Sequence, residues 1–252
     1  MRAMILAAGL GTRLRPLTND RPKALVEVAG HTLLEITLRR LASFGVREVI
    51  VNVHHFADLV VDYLRKNGNF GMRIEISRED VLLDTGGGLK KAAWYLLEAA
   101  RSGHSMGEVG FILHNVDVLS TIDLKKMMQF RHDTKALAVL AVQDRKTSRY
   151  LLFDDQRLLC GRRVGEKASE LVRKAPPLHS WAFSGVHIIS SRLLSMLTED
   201  GAFSIIDTYL RLAAQGEKIL AFRADQYYWR DLGKPENVAQ AARDVEQQVL
   251  QL

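Results

Sequence analysis

The sequence predicts an α/β fold, a largely parallel sheet with helices on both faces. Three observations predict it. Short apolar runs, several rich in β-branched residues, recur at 4–8, 49–53, 72–76, 109–113 and 136–142, the pattern of strands buried on both faces. Segments of helical periodicity separate them, at 33–44, 57–66, 85–100 and 122–131. Chemically capable residues gather just after the runs at 4–8, 72–76 and 109–113, and open α/β sheets bind ligands at the carboxyl ends of their strands. Crossovers in such a sheet are right-handed.

The elements follow in order. Strand 4–8 enters a loop holding Gly9 and Gly11. In helix 33–44, Leu33, Leu34, Leu38 and Leu41 share one side, and Gly45 ends it. Strand 49–53 runs into His54 and His55, which as strand neighbours point to opposite faces and do not chelate. Helix 57–66, a turn at 68–71 and strand 72–76 come next, and helix 85–100 opens on Gly86, Gly87 and Gly88. Strand 109–113 leads into His114-Asn115-Val116-Asp117, and Asp123 falls in the first turn of helix 122–131. Beyond 147 the pattern changes. Residues 150–153 and 157–160 predict a hairpin around Asp154-Asp155, while polar 161–177 gives no assignment. A strand at 181–189, helices at 193–197 and 205–214, a strand at 218–222, a loop at 225–233 and a helix at 235–250 with Pro235 in its first turn complete the chain. With no repeat or linker, we expect one domain over 1–252, carrying a substrate-binding insertion around 144–190.

The 252 residues suffice for a sizeable core, and 47% hydrophobic with 25% charged is ordinary for a globular protein. Thirty-five Lys plus Arg against 29 Asp plus Glu leave +6. That suits a polyanionic substrate. The charge is spread without runs of like sign, so nucleic acid is not an expected partner. A single cysteine, Cys160, excludes an intrachain disulfide and Cys-based metal sites and fits a reducing compartment. No apolar stretch is long enough for a membrane span or a signal-peptide core, so a cytoplasmic protein with no membrane partner is expected.

Residues 4–25 read as a phosphate cradle. Gly9 and Gly11 let backbone N–H groups approach an anion, and Arg13 and Lys23 add fixed positive charge. A Walker A loop is excluded by spacing, and a dinucleotide fingerprint by Leu14 where Gly or Ala is needed. There is no nucleophile elbow for Ser-His-Asp catalysis. Asp117, at the end of an apolar strand, is a candidate Mg²⁺ ligand. Taken alone, a turn or capping aspartate is the stronger reading.

The cradle resembles the signature of the sugar-1-phosphate nucleotidyltransferases, roughly Gly-x-Gly-Thr-Arg-Leu-x-Pro-Leu-Thr followed by Pro-Lys. Gly9, Gly11, Thr12, Arg13, Leu14, Pro16, Leu17, Thr18, Pro22 and Lys23 match it. The resemblance implies a Rossmann-like, mixed and mostly parallel sheet with helices on both faces. It implies an enzyme that joins an NTP and a sugar 1-phosphate into an NDP-sugar and pyrophosphate, with Mg²⁺ as cofactor. Arg13 and Lys23 are then catalytic. Leu6, Ala8, Gly9, Gly11, Thr12 and Arg13 bind the nucleotide, with Thr85, Gly86 and Gly87 lining its base. Asn115-Val116-Asp117 stands where the family has Asn-Gly-Asp, with Val116 expected to narrow the nucleotide pocket. Trp229-Arg230-Asp231-Leu232-Gly233-Lys234-Pro235 resembles the family's Trp-x-Asp-x-Gly-Thr-Pro, with Lys234 for the Thr. Asp117 and Asp231 are the implied metal ligands. Asn115, Ser184 and Gly185 fall on the sugar side. Lys167, in a Glu166-Lys167-Ala168 that lacks the family's proline, is the implied sugar-phosphate ligand, with Arg149, Arg162 and Arg163 as rivals.

The length is similar to that of compact members, the N-acetylmuramate 1-phosphate uridylyltransferases and short mannose 1-phosphate guanylyltransferases. Base, sugar and oligomeric state stay open. A choline-phosphate cytidylyltransferase is an alternative that Trp181, Tyr227, Tyr228 and Trp229 leave open as a cation cage. A non-catalytic nucleotide-sugar sensor is another; the presence of Arg13, Lys23, Asp117 and Asp231 together argues against it.

Overall fold

The computed structural model describes residues 1–98, 109–173 and 177–251. The chain runs β1 (Arg2–Leu6), β2 (Glu27–Val28), β3 (His31–Thr32), α1 (Leu33–Ser43), β4 (Glu48–Val53), α2 (Ala57–Lys66), β5 (Arg73–Arg78) and α3 (Asp84–Glu98). It continues β6 (Gly110–Asn115), β7 (Val118–Ser120), α4 (Leu124–Thr134), β8 (Ala138–Gln143), β9 (Arg149–Phe153), β10 (Leu159–Val164) and β11 (Glu170–Leu171). Last come β12 (His179–Ser190), α5 (Ile205–Ala214), β13 (Ile219–Arg223), β14 (Trp229–Asp231) and α6 (Pro235–Glu246).

Strands β6, β1, β4 and β5 lie side by side and parallel. Period-2 alternation explains how one strand serves two cores. Ala3 and Ile5 of β1, with Val49, Val51 and Val53 of β4, pack on the face covered by α1, α2, α4 and α6. Met4 and Ile50 point the other way, onto α3 and α5. The long strand β12 joins antiparallel to β6 and β8, and β13 adds parallel to β8. The first half of β12 diverges to pair with β9, which carries β10 and β11 outward as an arm. The register of β12 against β8 breaks between Phe183 and His187. Such a break bends a strand and re-aims its side chains. The sheet thus forks, and the fork opens beside the carboxyl end of β6.

The structure departs from the sequence reading at several boundaries. Asp123 precedes α4 as its N-cap, its carboxylate accepting from Lys126 N at 3.0 Å, because a free helix N–H there favours a side-chain acceptor. The second hairpin strand extends to Val164, and β11 lies in the stretch without assignment. Residues 229–231, read as loop, form β14 against β7. Segment 193–197 is a 3-10 turn spanning Ser191–Met196. Residues 99 and 100 of the expected third helix lie outside the described residues.

The glycine run of α3 is a packing device. Gly86 N donates to the Phe203 carbonyl at 2.8 Å. A Cβ on Gly86 would stand 2.2 Å from the Phe203 ring and 2.9 Å from that carbonyl. Gly86→Ala is therefore expected to destabilise the fold by about 3 kcal/mol, read as a lower urea midpoint at an unchanged slope.

Two histidines sit inside the sheet. His114 on β6 lies opposite Val186, and His187 on β12 lies opposite Leu113. Burial, with Arg40 adding to it, pushes His114 down to about 4, against the pull of the Asn115 carbonyl and Asp117. Burial, with His114 adding, pushes His187 down to about 3. His187 Nδ1 pairs with Tyr209 Oη at 2.9 Å. Both are neutral when folded and take up protons when unfolded, so their contribution is complete above the unfolded value near 6.5. It is lost as pH falls toward 4. The expected loss is about 1.4 kcal/mol per pH unit for each histidine across that window. Urea unfolding between pH 8 and 4.5 tests this, and His187→Gln should lower the slope by one histidine's share.

Candidate active site

The loop after β1 is anchored from below and open above. Leu14 is fully buried. Thr18 Oγ1 and Leu14 N both donate to the Gly11 carbonyl, at 2.8 and 2.9 Å. That leaves Thr12 and Arg13 exposed at the sheet edge. Lys23 begins the 3-10 turn Lys23–Leu25, and its Nζ lies 2.5 Å from Asp117 Oδ2, with both side chains largely buried.

Asp117 lies in the turn from β6 to β7. The ribbon of β7 and β14 sets Asp231 opposite Val118, one residue from Asp117. Leu232 N donates to the Asp117 carbonyl at 2.8 Å and locks the two loops together. Gly233 N donates to Asp231 Oδ1 at 2.6 Å. A Cβ on Gly233 would stand 2.6 Å from Arg13 Nη2 and 2.7 Å from Asp231 Oδ1. Only glycine there lets the Arg13 guanidinium lie against this loop. Val116, expected to narrow the nucleotide pocket, is instead buried in the core, because its alternation turns it inward.

One groove, in two lobes, runs past Lys23, Asp117 and Asp231, while Gly11, Thr12 and Arg13 line neither lobe. Each lobe encloses about 570 Å³, and Asp84, Thr85, Asn115 and Asp117 line both. The first lobe is lined by Leu6, Ala8, Gly9, Lys23, Asn52, Glu79 and Leu82. Its floor is a buried polar chain along the ends of β1, β4 and β5. Ala7 N donates to Asn52 Oδ1 at 2.7 Å, Asn52 Nδ2 to Glu79 Oε1 at 2.7 Å, and Leu83 N to Glu79 Oε2 at 3.0 Å. Sequence reasoning missed Asn52 and Glu79. The available signal was an Asn inside the apolar run 49–53, since a buried polar residue is the informative exception. Gly86 and Gly87 line neither lobe; their N–H groups are directed to the Phe203 carbonyl. Thr85 does line the groove, its Oγ1 accepting from Ile205 N at 3.0 Å.

The second lobe lies in the fork of the sheet, between β12, the β9–β10 arm and β14. Arg145, Arg149, Tyr150, Arg162, Phe183, Ser184, Gly185, His187 and Trp229 line it, with Asp231 at its inner end. Gly185, at φ +74, brings the strand close to Val118, where a Cβ would meet Cγ2 at 2.6 Å. Asn115 Oδ1 and Ser184 Oγ are buried without hydrogen-bond partners. Lys167 lies on an exposed turn and does not line the lobe. Gly165-Glu166 form the turn that separates β10 from β11, and Lys167 follows it outside the lining of the lobe. Arg163 lies over the Tyr150 ring at 5.0 Å. Arg162 is held by Glu170 and Asp207. Arg145, which sequence reasoning also missed, lies 3.6 Å over the Trp229 ring. The other aromatics are dispersed: Trp181 stacks between Phe153 and His179, and Tyr228 bonds to Asp244.

Among the described residues no helix is long and apolar enough to cross a membrane, and no group of three or more His, Cys, Asp or Glu could hold a metal.

The family model for nucleotidyl transferases matches residues 2–248. N-acetylmuramate alpha-1-phosphate uridylyltransferase from Caulobacter vibrioides is 38% identical over 245 residues, 93% of this chain and 92% of that one. Mannose-1-phosphate guanylyltransferase from Mycobacterium tuberculosis is 26% identical over 96% of this chain, which spans 64% of that protein. Among solved structures, HddC from Yersinia pseudotuberculosis complexed with GMP-PN has a TM-score of 0.75 at 24% identity, covering 97% of this chain and 99% of that one. UDP-glucose pyrophosphorylase complexed with UDP-glucose has a TM-score of 0.74 at 16% identity and 98% coverage of each. At these identities the structures show the shared fold. The chain belongs to the nucleotidyl transferase family, among the enzymes that join an NTP and a sugar 1-phosphate into an NDP-sugar with release of pyrophosphate.

Proposed function

We propose that this reaction takes place where the two lobes meet, with the NTP in the first lobe and the sugar 1-phosphate in the second. One observation carries the reading: Lys23, Asp117 and Asp231, from three separate stretches of sequence, line the groove, and Arg13, from the same loop as Lys23, lies beside Gly233 next to Asp231. As first substrate pair we propose UTP and an N-acetylmuramate-type sugar 1-phosphate. The 38% relative, matched over nearly its whole length, supports that choice. So does Arg149, a cation in the sugar lobe with no carboxylate partner among the described residues.

The donor set fits Mg²⁺. Asp117 and Asp231 offer hard oxygen donors on neighbouring residues of one ribbon. Lys23 engages one oxygen of Asp117 and Gly233 N one of Asp231, leaving the second oxygen of each without a protein partner among the described residues. Two carboxylates suffice for an ion completed by phosphate and water. Bound there, Mg²⁺ would supply positive charge against the phosphates.

The sugar phosphate oxygen is anionic near neutral pH, so its attack needs no general base. It attacks the α-phosphorus in line. The new O–P bond forms as the bond to the β-phosphate breaks, and pyrophosphate leaves with the electron pair. Such transfers depend on positioning and charge neutralisation. Lys23, fixed by Asp117, neutralises charge on the α-phosphate. Arg13, at the rim beside Gly233, takes the leaving β- and γ-phosphates with its planar fork.

Pyrophosphate release tests this across UTP, GTP, CTP, dTTP and ATP, crossed with N-acetylmuramate, mannose, glucose and heptose 1-phosphates and phosphocholine. The expected result is one favoured pair, UTP with the N-acetylmuramate compound, abolished by EDTA and by Asp117→Ala. A favoured phosphocholine pair would displace the sugar reading. Nucleotide-sugar binding without turnover would replace the enzyme with a sensor. Arg13→Ala and Lys23→Ala should each lower kcat by about 10²-fold or more, the scale of a lost electrostatic stabiliser.

A further inference from the structure

The second lobe needs a cation for the sugar's own phosphate, and Lys167 lies outside it. Arg162 is neutralised by Glu170 and Asp207. Arg163 rests over Tyr150 outside the lining. Arg149 is an exposed residue at the start of β9, paired with Val164 on the outward arm. Arg149 and Arg145 remain as cations of the lobe without a carboxylate partner among the described residues, and Arg145 is the more buried of the two.

Arg145 follows the carboxyl end of β8 by two residues and lies over the groove. Its guanidinium is 3.6 Å from the centre of the Trp229 ring, and Nη2 donates to the Phe183 carbonyl at 2.7 Å. Nε is buried without a hydrogen-bond partner. No carboxylate lies within ion-pairing distance of it among the described residues. Burial pushes its pKa below the ordinary arginine value, and the field of Asp231 opposes that. Guanidinium keeps its proton in proteins. A half-buried cation with no fixed counter-ion is costly, and the cost falls when an anion arrives.

The local backbone explains how it is held. Where the register of β12 breaks, two successive carbonyls serve side chains: Phe183 O accepts from Arg145, and Ser184 O accepts from Trp229 Nε1 at 2.8 Å. One strand thereby pins both partners of the cation–π stack. Trp229 lies two residues before Asp231 on β14, so the guanidinium is tied to the strand that carries the second acid. Ser184 Oγ, fully buried and without a partner, lines the same lobe as a donor.

We propose that Arg145, braced on Trp229, is the residue that binds the phosphate of the sugar 1-phosphate and orients its attacking oxygen. The proposal rests on the nucleotidyltransfer reading above. Arg145 binds the phosphate through its planar fork, and the Ser184 hydroxyl adds a donor.

The test combines kinetics with calorimetric binding of the four sugar 1-phosphates in the absence of NTP. Arg145→Gln should raise KM for the favoured sugar 1-phosphate about tenfold to a hundredfold, the scale of a lost charge-assisted pair, and weaken its binding in parallel. KM for the NTP should stay within about twofold, and thermal melting should be unchanged, which separates a lost ligand contact from a damaged fold. Arg145→Lys should recover part of the loss, because it keeps the charge and gives up the fork. Unchanged sugar-phosphate KM and binding in Arg145→Gln would overturn the proposal. So would a loss confined to Lys167→Ala. If the unaltered protein binds a sugar 1-phosphate through Arg145 yet releases no pyrophosphate with any NTP, the assignment of Arg145 stands and the transfer reading fails. If it binds none of the four, both fail.

Discussion

The groove depends on a backbone pairing that brings together two loops, each carrying a carboxylate. Asp117 and Asp231 are more than a hundred residues apart in sequence, and like charges brought close repel. The three-residue ribbon of β7 and β14 overcomes this by backbone pairing. It sets Asp231 against Val118, and the Leu232 N–H to Asp117 carbonyl bond closes it. Lys23 then places an ammonium 2.5 Å from Asp117 Oδ2 in a largely buried setting, which offsets part of the repulsion. Gly233 keeps the approach clear for Arg13. This grouping of charges is thus a product of one short pairing register, and a slip of one residue would turn Asp231 to the opposite face.

The two lobes are built on different principles. The first lobe lies over parallel strand ends, where Asn52 and Glu79 accept from the loop N–H groups of Ala7 and Leu83. Its rigidity comes from buried polar contacts. The second lobe lies where the sheet forks, and Arg145 Nε, Ser184 Oγ and Asn115 Oδ1 beside it are buried without a protein partner. Buried unpartnered groups are few in folded proteins. Three of them border the second lobe, the Asn115 atom at the junction with the first.

Much of the fold was legible from periodicity. The alternating apolar runs and helical segments predicted the parallel strands and the flanking helices, and α2 and α5 begin and end where the pattern places them. The motif residues Arg13, Lys23, Asp117 and Asp231 were legible because glycine, proline and charge at fixed spacing are local features. Less was legible where a residue's role depends on what packs against it. Gly86 and Gly87 looked like donors at a helix start, but the segment around Phe203 takes their N–H groups. Lys167 matched a motif, yet it follows the turn at Gly165 outside the lining of the lobe.

The sequence by itself determined most of the strands and helices and the positions of the glycine loop and of the four charged residues, because each is written in a window of a few residues. Tertiary structure alone decided which cations line the second lobe, which glycines pack and how the loops carrying the two acids pair. Those outcomes follow from strand register and from the break in β12, where contacts between residues far apart in the chain decide which backbone groups and which charges remain free for a ligand.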